Sequence, residues 1–280
     1  MIPVALTVLR AEPIGPSMHR VVLGGDGFDI YWERHQALPG YTDTYVKLLF
    51  WPDGFDPPRN VDLGDLPDGI RPVMRTYTIR SVDPVAREVV IDFVVHGSTS
   101  ADHGQSAEGI AGPWAVNVRP GDWIHLRGPN GGYAPDHTAD HHLFVGDEAG
   151  LPAISSSIEA LQPGDRGTAF IEVDGPDDEV EFDTAGDVDV RWLHRGDAAP
   201  GTTTLLDDAV RAWEWPEGRV QAFVHGESAL LKSVRPYVLK ERGVERVDVS
   251  VSAYWRRGET EEGFRVWKSR QDEAVMRPTR

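Results

Sequence analysis

Short apolar segments separated by turn residues make up the first half of the sequence. The alternation is clearest over Glu88–His96, where every second side chain is apolar and Asp92 and His96 point to the opposite side. Many short strands between turns predict a small antiparallel barrel. The predicted strands are Val4–Leu9, Met18–Leu23, Tyr45–Phe50, Thr76–Val82, Glu88–His96 and Trp123–Arg127.

The pattern changes after about Pro135, where apolar strands begin to alternate with helical segments. In the first helix Pro152 lies near the first turn and Gly164 follows the end. Pro236 falls inside the third helix and is expected to kink or split it. Alternating strands and helices predict a parallel sheet with right-handed crossovers. The predicted strands are Leu143–Val145, Thr168–Val173, Val188–Leu193, Val220–Val224 and Val247–Val251, and the later helices are Thr203–Trp213 and Ser228–Lys240.

The fold class is therefore β plus α/β, in two predicted domains over residues 1–136 and 137–280, the second ending in a C-terminal helix. A chain of 280 residues is long enough for two cores. The formal net charge of -17 argues against nucleic-acid binding, which needs a basic face. There is no cysteine, which excludes disulfides, thiolate zinc sites, all-cysteine iron–sulfur clusters and cysteine nucleophiles. Any redox chemistry must then come from a bound cofactor.

The N-terminal residues 1–8 resemble a short strand and lack the basic start and long apolar core of a signal peptide. No segment approaches the roughly 20 apolar residues of a membrane span. We therefore expect a cytoplasmic protein with no membrane insertion, and we expect a monomer.

The segment Met74–Arg80 combines three side chains of different chemistry on one strand. Arg75 and Tyr77 share a face because side chains alternate along a strand, and Thr78 follows beside them. A cation for phosphate, a flat ring for packing and a small hydrogen-bonding residue are what a flavin cofactor needs. This segment predicts a flavin site.

Three strand ends of the predicted parallel sheet carry glycine beside polar residues. They are Gly146-Asp147-Glu148, His194-Arg195-Gly196 and His225-Gly226-Glu227. A parallel sheet binds ligands beyond the carboxyl ends of its strands, and glycine lets a ligand approach the backbone. Each motif alone is more often a simple turn, but their repetition favours a nucleotide site. Arg195 favours a 2′-phosphate there, although one arginine leaves the choice between NADH and NADPH open. No G-x-G-x-x-G motif follows the first parallel strand.

Two further segments have both a structural and a functional interpretation. Gly109–Ala115 has small residues whose amides could bind an anion, while Trp114 would by default be buried in a core. Ala253–Gly258 ends the last strand with two aromatic residues and two arginines; it either leads into a helix that closes the sheet or forms a cationic, aromatic lip over the site. His137, His141 and His142 lack carboxylates at a convincing spacing, so we predict no metal site.

Taken together, these motifs resemble the siderophore-interacting proteins, which are flavin-dependent ferric-siderophore reductases of the ferredoxin-reductase-like superfamily. The resemblance covers nearly the whole chain. It depends on Arg75-Thr76-Tyr77-Thr78-Ile79-Arg80, His96-Gly97, Gly112-Pro113-Trp114-Ala115, Pro120-Gly121-Asp122, Gly128-Pro129-Asn130-Gly131, Gly146-Asp147-Glu148, Trp192-Leu193-His194-Arg195-Gly196, Gly226-Glu227 and Tyr254-Trp255-Arg256-Arg257-Gly258.

The resemblance implies a six-stranded FAD-binding barrel followed by a nicotinamide-binding α/β domain. It implies that Arg75 holds the FAD phosphates, that Tyr77 packs on the flavin and that Thr78 contacts the ring edge. The remaining implied sites are Thr76, His96, Ala111, Gly112, Trp114, Asp147 and Glu148 for FAD; Arg195, Gly226 and Glu227 for the nicotinamide nucleotide; and Lys47, Arg127, Arg256 and Arg257 for the ferric siderophore.

Two positions depart from the family pattern. Ala149-Gly150 stands where the family often has Thr-Ala, and Asn130 stands where it often has a basic residue. The second departure puts the completeness of the basic substrate patch in question.

The function implied is reduction of ferric siderophores through FAD, with NADH or NADPH as electron donor and no protein acid or base required. A ferredoxin is an alternative donor. Two other functions remain open: a general flavin reductase or diaphorase, and a non-catalytic siderophore-binding or flavin-storage protein.

Overall fold

The computed structural model describes residues 2–95, 109–259, 263, 264 and 267. The first sheet is antiparallel, with strand order β4-β3-β7-β1-β2-β6-β5. It confirms the predicted N-terminal antiparallel architecture. Its strands are β1 (Val4–Pro13), β2 (Met18–Gly24), β3 (Tyr45–Phe50), β4 (Val73–Thr78), β5 (Ser81–Asp83), β6 (Glu88–Val94) and β7 (Trp123–Asn130).

This sheet has seven strands, one more than the six that the family resemblance implies. The predicted strand Thr76–Val82 is divided into β4, which pairs with β3, and β5, which pairs with β6. Ile79 donates its amide to the Thr44 carbonyl at 2.7 Å and Arg80 donates to the Val90 carbonyl at 2.8 Å, so the chain changes partner strand within two residues. The two edges of the sheet are thereby joined, which curls it toward a barrel.

The barrel interior is filled by alternate residues of the strands. Val89, Ile91 and Phe93 of β6 are fully buried, as their spacing predicts. An unpredicted helix, α1 (Phe28–Gln36), adds the buried rings of Phe28 and Tyr31. Only these two of its nine residues are buried, so the sequence carries only a weak alternation of apolar and polar residues at helical spacing. Helix α2 (Ala111–Asn117) buries Ala111 and Ala115 against the same core.

The second sheet is entirely parallel and has the order β10-β9-β8-β11-β12, confirming the predicted α/β domain. From β8 the chain builds outward to β9 and β10, and it then returns to the other side of β8 with β11. The crevice between β8 and β11 is therefore the topological switch point, where open parallel sheets bind ligands. The elements are β8 (His141–Asp147), α3 (Leu151–Glu159), β9 (Arg166–Val173), β10 (Asp187–His194), α4 (Leu205–Ala212), β11 (Val220–Glu227) and β12 (Val249–Trp255).

The predicted helix Ser228–Lys240 is broken into three short pieces. They are a 3₁₀ turn (Ser228–Leu231), an α-helical turn (Val234–Pro236) and a π-helical turn (Tyr237–Glu241). Pro236 has no amide hydrogen to donate, which accounts for the expected break in its neighbourhood. Of the predicted C-terminal helix, Gly263, Phe264 and Trp267 are described and helical, and the rest lies outside the described residues. In the described part of the chain, no helix is long and apolar enough to span a bilayer.

Polar contacts connect the barrel to the parallel-sheet region. Arg80, just after β4, donates to both carboxylate oxygens of Glu159 at the end of α3, with Nη1 to Oε2 at 2.7 Å. Ser156 donates its hydroxyl to the Arg80 carbonyl at 2.9 Å. Ser17 donates its amide and hydroxyl to the buried Asp178 carboxylate at 3.0 and 2.6 Å. These contacts fix the side of the barrel that faces the sheet.

A double-mutant cycle of Arg80→Met and Glu159→Gln is expected to give a coupling energy of about 1 kcal/mol in urea unfolding, because both side chains are partly buried and doubly hydrogen-bonded. The matched control is Arg10→Met with Glu88→Gln, a more exposed pair within the barrel, which should couple less. Equal coupling in the two cycles would contradict a specific role for the bridging pair.

Candidate functional site

The β4 strand presents the side chains that the sequence singles out for a flavin. Arg75 lies opposite Leu48 and Tyr77 lies opposite Val46 in the β3 pairing, so both are on the face that contributes to the barrel core. The Tyr77 ring centroid is 4.3 Å from that of Phe93. Arg75 is half-buried and donates to the Met74 carbonyl at 3.2 Å. Thr76 is exposed on the opposite face.

Thr78 ends β4 and is where the two sheets meet. Its side chain lies beside the phenol of Tyr254 on β12, and burial raises the pKa of that phenol above its usual value. Sequence analysis assigns Tyr254 only to a general aromatic lip, because contacts between separate domains leave no periodic signal. The contact places the carboxyl end of the parallel sheet beside the predicted flavin strand.

The segment containing α2 lies on the other side of the same aromatic cluster. The Trp114 ring is 5.6 Å from Phe93 and 5.8 Å from Phe50, so it packs against the barrel core, as buried tryptophan does by default. A Cβ at Gly112 would lie 3.3 Å from the Val94 carbonyl oxygen, so the helix start is packed closely onto β6. Ala111 is buried at the same point. His96 lies outside the described residues.

These residues fit an FAD cofactor by their chemistry. The rings of Tyr77 and Trp114 pack on Phe93, the Arg75 guanidinium lies on the same face of β4 as Tyr77, and the Thr78 hydroxyl lies at the end of that strand. Phosphates are bound by cations and exposed amides, and flat rings by aromatic faces. The roles of individual residues toward FAD stay predictions.

At the switch point, the Asp147 carboxylate connects three strand ends. One oxygen accepts from the amides of Ala149 and Gly150 at 3.0 and 3.3 Å. The other accepts from the Glu227 amide at 2.9 Å and the Trp255 indole N–H at 2.8 Å. Burial raises the pKa of Asp147, while these four N–H donors favour its charged form. The carboxylate therefore fixes the ends of β8, β11 and β12 relative to one another.

The neighbouring strand end is built around the same carboxylate. Gly226 has φ 158°, and a Cβ there would lie 2.9 Å from the Asp147 carboxylate, so only glycine fits. The Glu227 side chain is buried and accepts from the Ser228 hydroxyl at 2.9 Å, the Arg257 amide at 3.1 Å and the Ala229 amide. Glu227 thus caps the following 3₁₀ turn and holds the segment after β12.

Arg195, which follows β10, is buried in a cluster of carboxylates. Its Nη2 pairs with Glu148 and with Asp174, and its Nη1 lies 3.8 Å from Glu172. Burial raises the pKa of Glu148 to about 7, even though the arginine beside it opposes that shift. Glu172 and Asp174, on and after β9, carry no motif in the sequence; only the register of β9 against its neighbours brings them here.

The predicted substrate residues lie on one outer face of the barrel. Lys47 is directly opposite Arg127 on β7 and Thr76 on β4. The Tyr45–Thr78 pair is two residues further along the same face, about 7 Å from the Lys47–Thr76 pair. This pair adjoins Tyr254.

The other two predicted substrate residues follow β12, two and three positions after Tyr254. Arg256 lies over the Trp267 ring at 5.2 Å, and Arg257 is exposed. The strand pairing thus places Lys47 beside Arg127, and Tyr254, which precedes Arg256 and Arg257 in the sequence, lies near the same face.

The three histidines near the predicted domain boundary have separate surroundings. His137 Nδ1 is 2.7 Å from Asp165, His141 Nε2 is 3.0 Å from the Thr168 hydroxyl, and His142 is fully buried. Within the described ranges, no group of three or more metal-ligating side chains is arranged to hold an ion. They contribute to packing at the start of β8.

The overall fold is found in reductases of known structure. A ferredoxin-NADP+ reductase from Plasmodium falciparum has a TM-score of 0.59 at 12% identity, with 90% of this chain and 96% of that chain covered. An antiparallel barrel followed by a parallel α/β sheet is therefore the fold that this chain shares with ferredoxin reductases.

Sequence relatives define the family more narrowly. Residues 7–133 match the siderophore-interacting FAD-binding domain and residues 139–258 match the siderophore-interacting protein model. The chain is 31% identical to the ferric vibriobactin reductase of Vibrio cholerae, covering 94% of this chain and 92% of the relative. The chain belongs to the siderophore-interacting protein family.

Two further proteins share this similarity over most of their length. The NADPH-dependent ferric-chelate reductase of Escherichia coli is 28% identical, over 89% of this chain and 91% of the relative. The crystal structure of a siderophore utilization protein from T. fusca has a TM-score of 0.75 at 36% identity, over 92% and 94% of the two chains.

Replacing Trp255 with Phe is expected to lower the free energy of unfolding by about 1–2 kcal/mol, because the buried Asp147 carboxylate loses one N–H donor. Urea unfolding measures this change. In the control, Trp192→Phe, phenylalanine retains the ring stacking on Phe182 and should cost less. A larger loss in the control would contradict the role given to the indole N–H.

The contribution of Glu148 to the free energy of unfolding is expected to fall as pH rises from about 4.5 to about 7. In that window the folded protein keeps a proton on Glu148 that the unfolded chain has released. Glu148→Gln should remove this contribution, which is at most about 3 kcal/mol. The measurement is the difference in unfolding free energy between the two proteins across this pH range. A pH-independent difference would contradict the raised pKa.

Proposed function

We propose that this protein is an FAD-dependent reductase that takes electrons from NADH or NADPH and reduces the iron of ferric siderophores. The observation that carries the proposal is the Thr78–Tyr254 contact, which brings the flavin-type strand of the barrel to the nucleotide-type edge of the parallel sheet. The names of the Vibrio cholerae and Escherichia coli relatives support the same reaction.

The barrel residues bind and orient the cofactor. Arg75 and the backbone around Ala111, Gly112 and Trp114 would hold the pyrophosphate, Tyr77 would pack on the flavin ring, and Thr78 would contact its edge. Thr76 and His96 belong to the same proposed set. Bound FAD supplies the conversion of a two-electron hydride donor into single electrons for ferric iron.

The parallel sheet binds the nicotinamide nucleotide at its switch point. Asp147 holds the ends of β8, β11 and β12 in place, and Gly226 lets the Asp147 carboxylate pack against the backbone at the end of β11. Glu227 and Glu148 shape the same edge. Arg195 acts there by holding the carboxylates of Glu148, Glu172 and Asp174. No side chain is needed as an acid or a base.

The basic outer face of the barrel binds the ferric siderophore. Lys47 and Arg127 lie opposite each other, and Arg256 and Arg257 follow the strand that adjoins this face. A local group of cations attracts an anionic chelate even though the formal net charge of the chain is -17. Asn130 pairs with Tyr45 next to this group and adds no charge.

We also propose that the protein acts as a monomer in the cytoplasm, where nicotinamide nucleotides are available, and that its domains are residues 1–136 and 137–280. The two family models, which match 7–133 and 139–258, support this division. Light scattering after size-exclusion chromatography tests the monomer; a mass of twice 31.0 kDa would contradict it.

Lys47→Met is expected to raise the KM for a ferric siderophore severalfold and to leave the FAD content unchanged, because the lysine is on the outer face, away from the barrel core. Steady-state kinetics and the flavin absorbance of the purified protein measure the two effects. Lys240→Met, which removes the same charge from the last helical turns, is the control. Unchanged kinetics in Lys47→Met would contradict the substrate role.

Anaerobic addition of NADH or NADPH to the FAD-loaded protein tests the reaction directly. We expect the flavin absorbance to bleach and then to recover when a ferric siderophore is added. Bleaching only by a reduced ferredoxin would contradict the nicotinamide donor. Faster recovery with free ferric salts or dyes than with siderophores would indicate a general diaphorase, and no bleaching by any donor would indicate a binding protein.

A further inference from the structure

The positive charge of Arg195 is neutralised by carboxylates of the protein itself. Its side chain is 2% exposed and lies among the three carboxylates of Glu148, Glu172 and Asp174. Glu172 is held in place by the Thr203 hydroxyl, which donates to it at 2.7 Å. Even when Glu148 binds a proton, the carboxylates of Glu172 and Asp174 outnumber the single guanidinium, so this part of the sheet edge is negative.

The remaining N–H groups of Arg195 are out of reach of a ligand. Nε and Nη1 are buried and lack a hydrogen-bond partner. A phosphate that approached from solvent would meet the half-exposed Asp174 carboxylate instead, since 49% of that side chain is accessible. The sequence pattern favours a 2′-phosphate at Arg195, but in the folded chain this arginine is unsuited to bind one.

The carboxylates lie at the strand end that faces the adenosine ribose in Rossmann-type dinucleotide binding. In that type of sheet the first strand leads into the helix at the pyrophosphate, and an acidic residue about 20 positions further on binds the ribose 2′-hydroxyl. Here β8 ends at Asp147, α3 follows, and β9 ends beside Glu172 and Asp174. A carboxylate accepts a hydrogen bond from a hydroxyl and repels a phosphate.

Among the described residues, the cations that follow β10 and β12 are paired or distant from these carboxylates. His194, at the end of β10, lies 2.7 Å from Glu179. Arg256 and Arg257 follow β12, which is three strands away from β9 in the sheet order β10-β9-β8-β11-β12. At about 4.8 Å per strand, that separation is about 14 Å.

We propose that this protein selects a nucleotide with a free 2′-hydroxyl, so that NADH is preferred over NADPH, and that Asp174 with Glu172 determines the choice. The proposal rests on the proposed function, in which a nicotinamide nucleotide is the direct donor. The preference is opposite to the donor in the name of the Escherichia coli relative.

Two measurements test the proposal: stopped-flow flavin reduction by NADH and by NADPH, and calorimetric binding of AMP and of adenosine 2′,5′-bisphosphate. For the wild-type protein we expect NADH and AMP to be favoured by about tenfold or more, the effect of one like charge near a phosphate. Asp174→Asn should reduce both ratios by about tenfold. Asp189→Asn, an equal charge change at an exposed position of β10, should leave both ratios unchanged.

The calorimetric binding measurement distinguishes failure of this proposal from failure of the proposed function. If neither donor bleaches the flavin but AMP binds more tightly than the bisphosphate, the direct donor step fails and the 2′-hydroxyl selectivity is supported. Equal or tighter binding of the bisphosphate, or binding of neither nucleotide, overturns the proposal. If Asp174→Asn unfolds like the wild-type protein but leaves the NADH-to-NADPH and AMP-to-bisphosphate ratios unchanged, Asp174 does not determine the nucleotide preference.

Discussion

The buried carboxylate of Asp147 is the interaction on which the candidate site depends. A buried charge is stable only when its hydrogen-bonding capacity is satisfied, and this one accepts from four N–H groups. Those groups belong to the turn after β8, the end of β11 and the end of β12. Because all three are held by one side chain, Tyr254 reaches Thr78 of the barrel in a defined position, and the sheet edge proposed for the nucleotide lies beside the strand proposed for the flavin.

The distribution of charge around that site gives its two sides different partners. The edge formed by β8, β9 and β10 is acidic, since Arg195 is outnumbered by the carboxylates that surround it. The outer face of the barrel carries Lys47 opposite Arg127. An acidic edge favours ribose hydroxyls and a basic face favours an anionic chelate, so under the proposed function the nucleotide donor and the iron complex would approach the same flavin from different directions.

Alternation and strand-end glycines were enough to predict the two sheets and to single out Asp147, Gly226 and Glu227. The division of Thr76–Val82 into two strands was not predictable, because the pattern does not show that the chain changes partner at Ile79. The ion pairs of Arg195 with Glu172 and Asp174 could not be predicted from the sequence either, because only the register of β9 against β10 brings these side chains together. Likewise, the Thr78–Tyr254 contact depends on packing between domains, which has no periodic signature.

If one flavin site connects a nicotinamide donor to siderophore-bound iron, then nucleotide oxidation and Fe(II) release are coupled. The most direct measurement is the yield of Fe(II), trapped by a ferrous-specific chelator, per nicotinamide nucleotide oxidised under anaerobic conditions with a panel of ferric siderophores. Because a hydride carries two electrons, we expect two Fe(II) for each nucleotide oxidised. We also expect a higher yield of Fe(II) from siderophores than from simple ferric salts. Oxidation of the nucleotide without Fe(II) release from any siderophore would contradict this coupling.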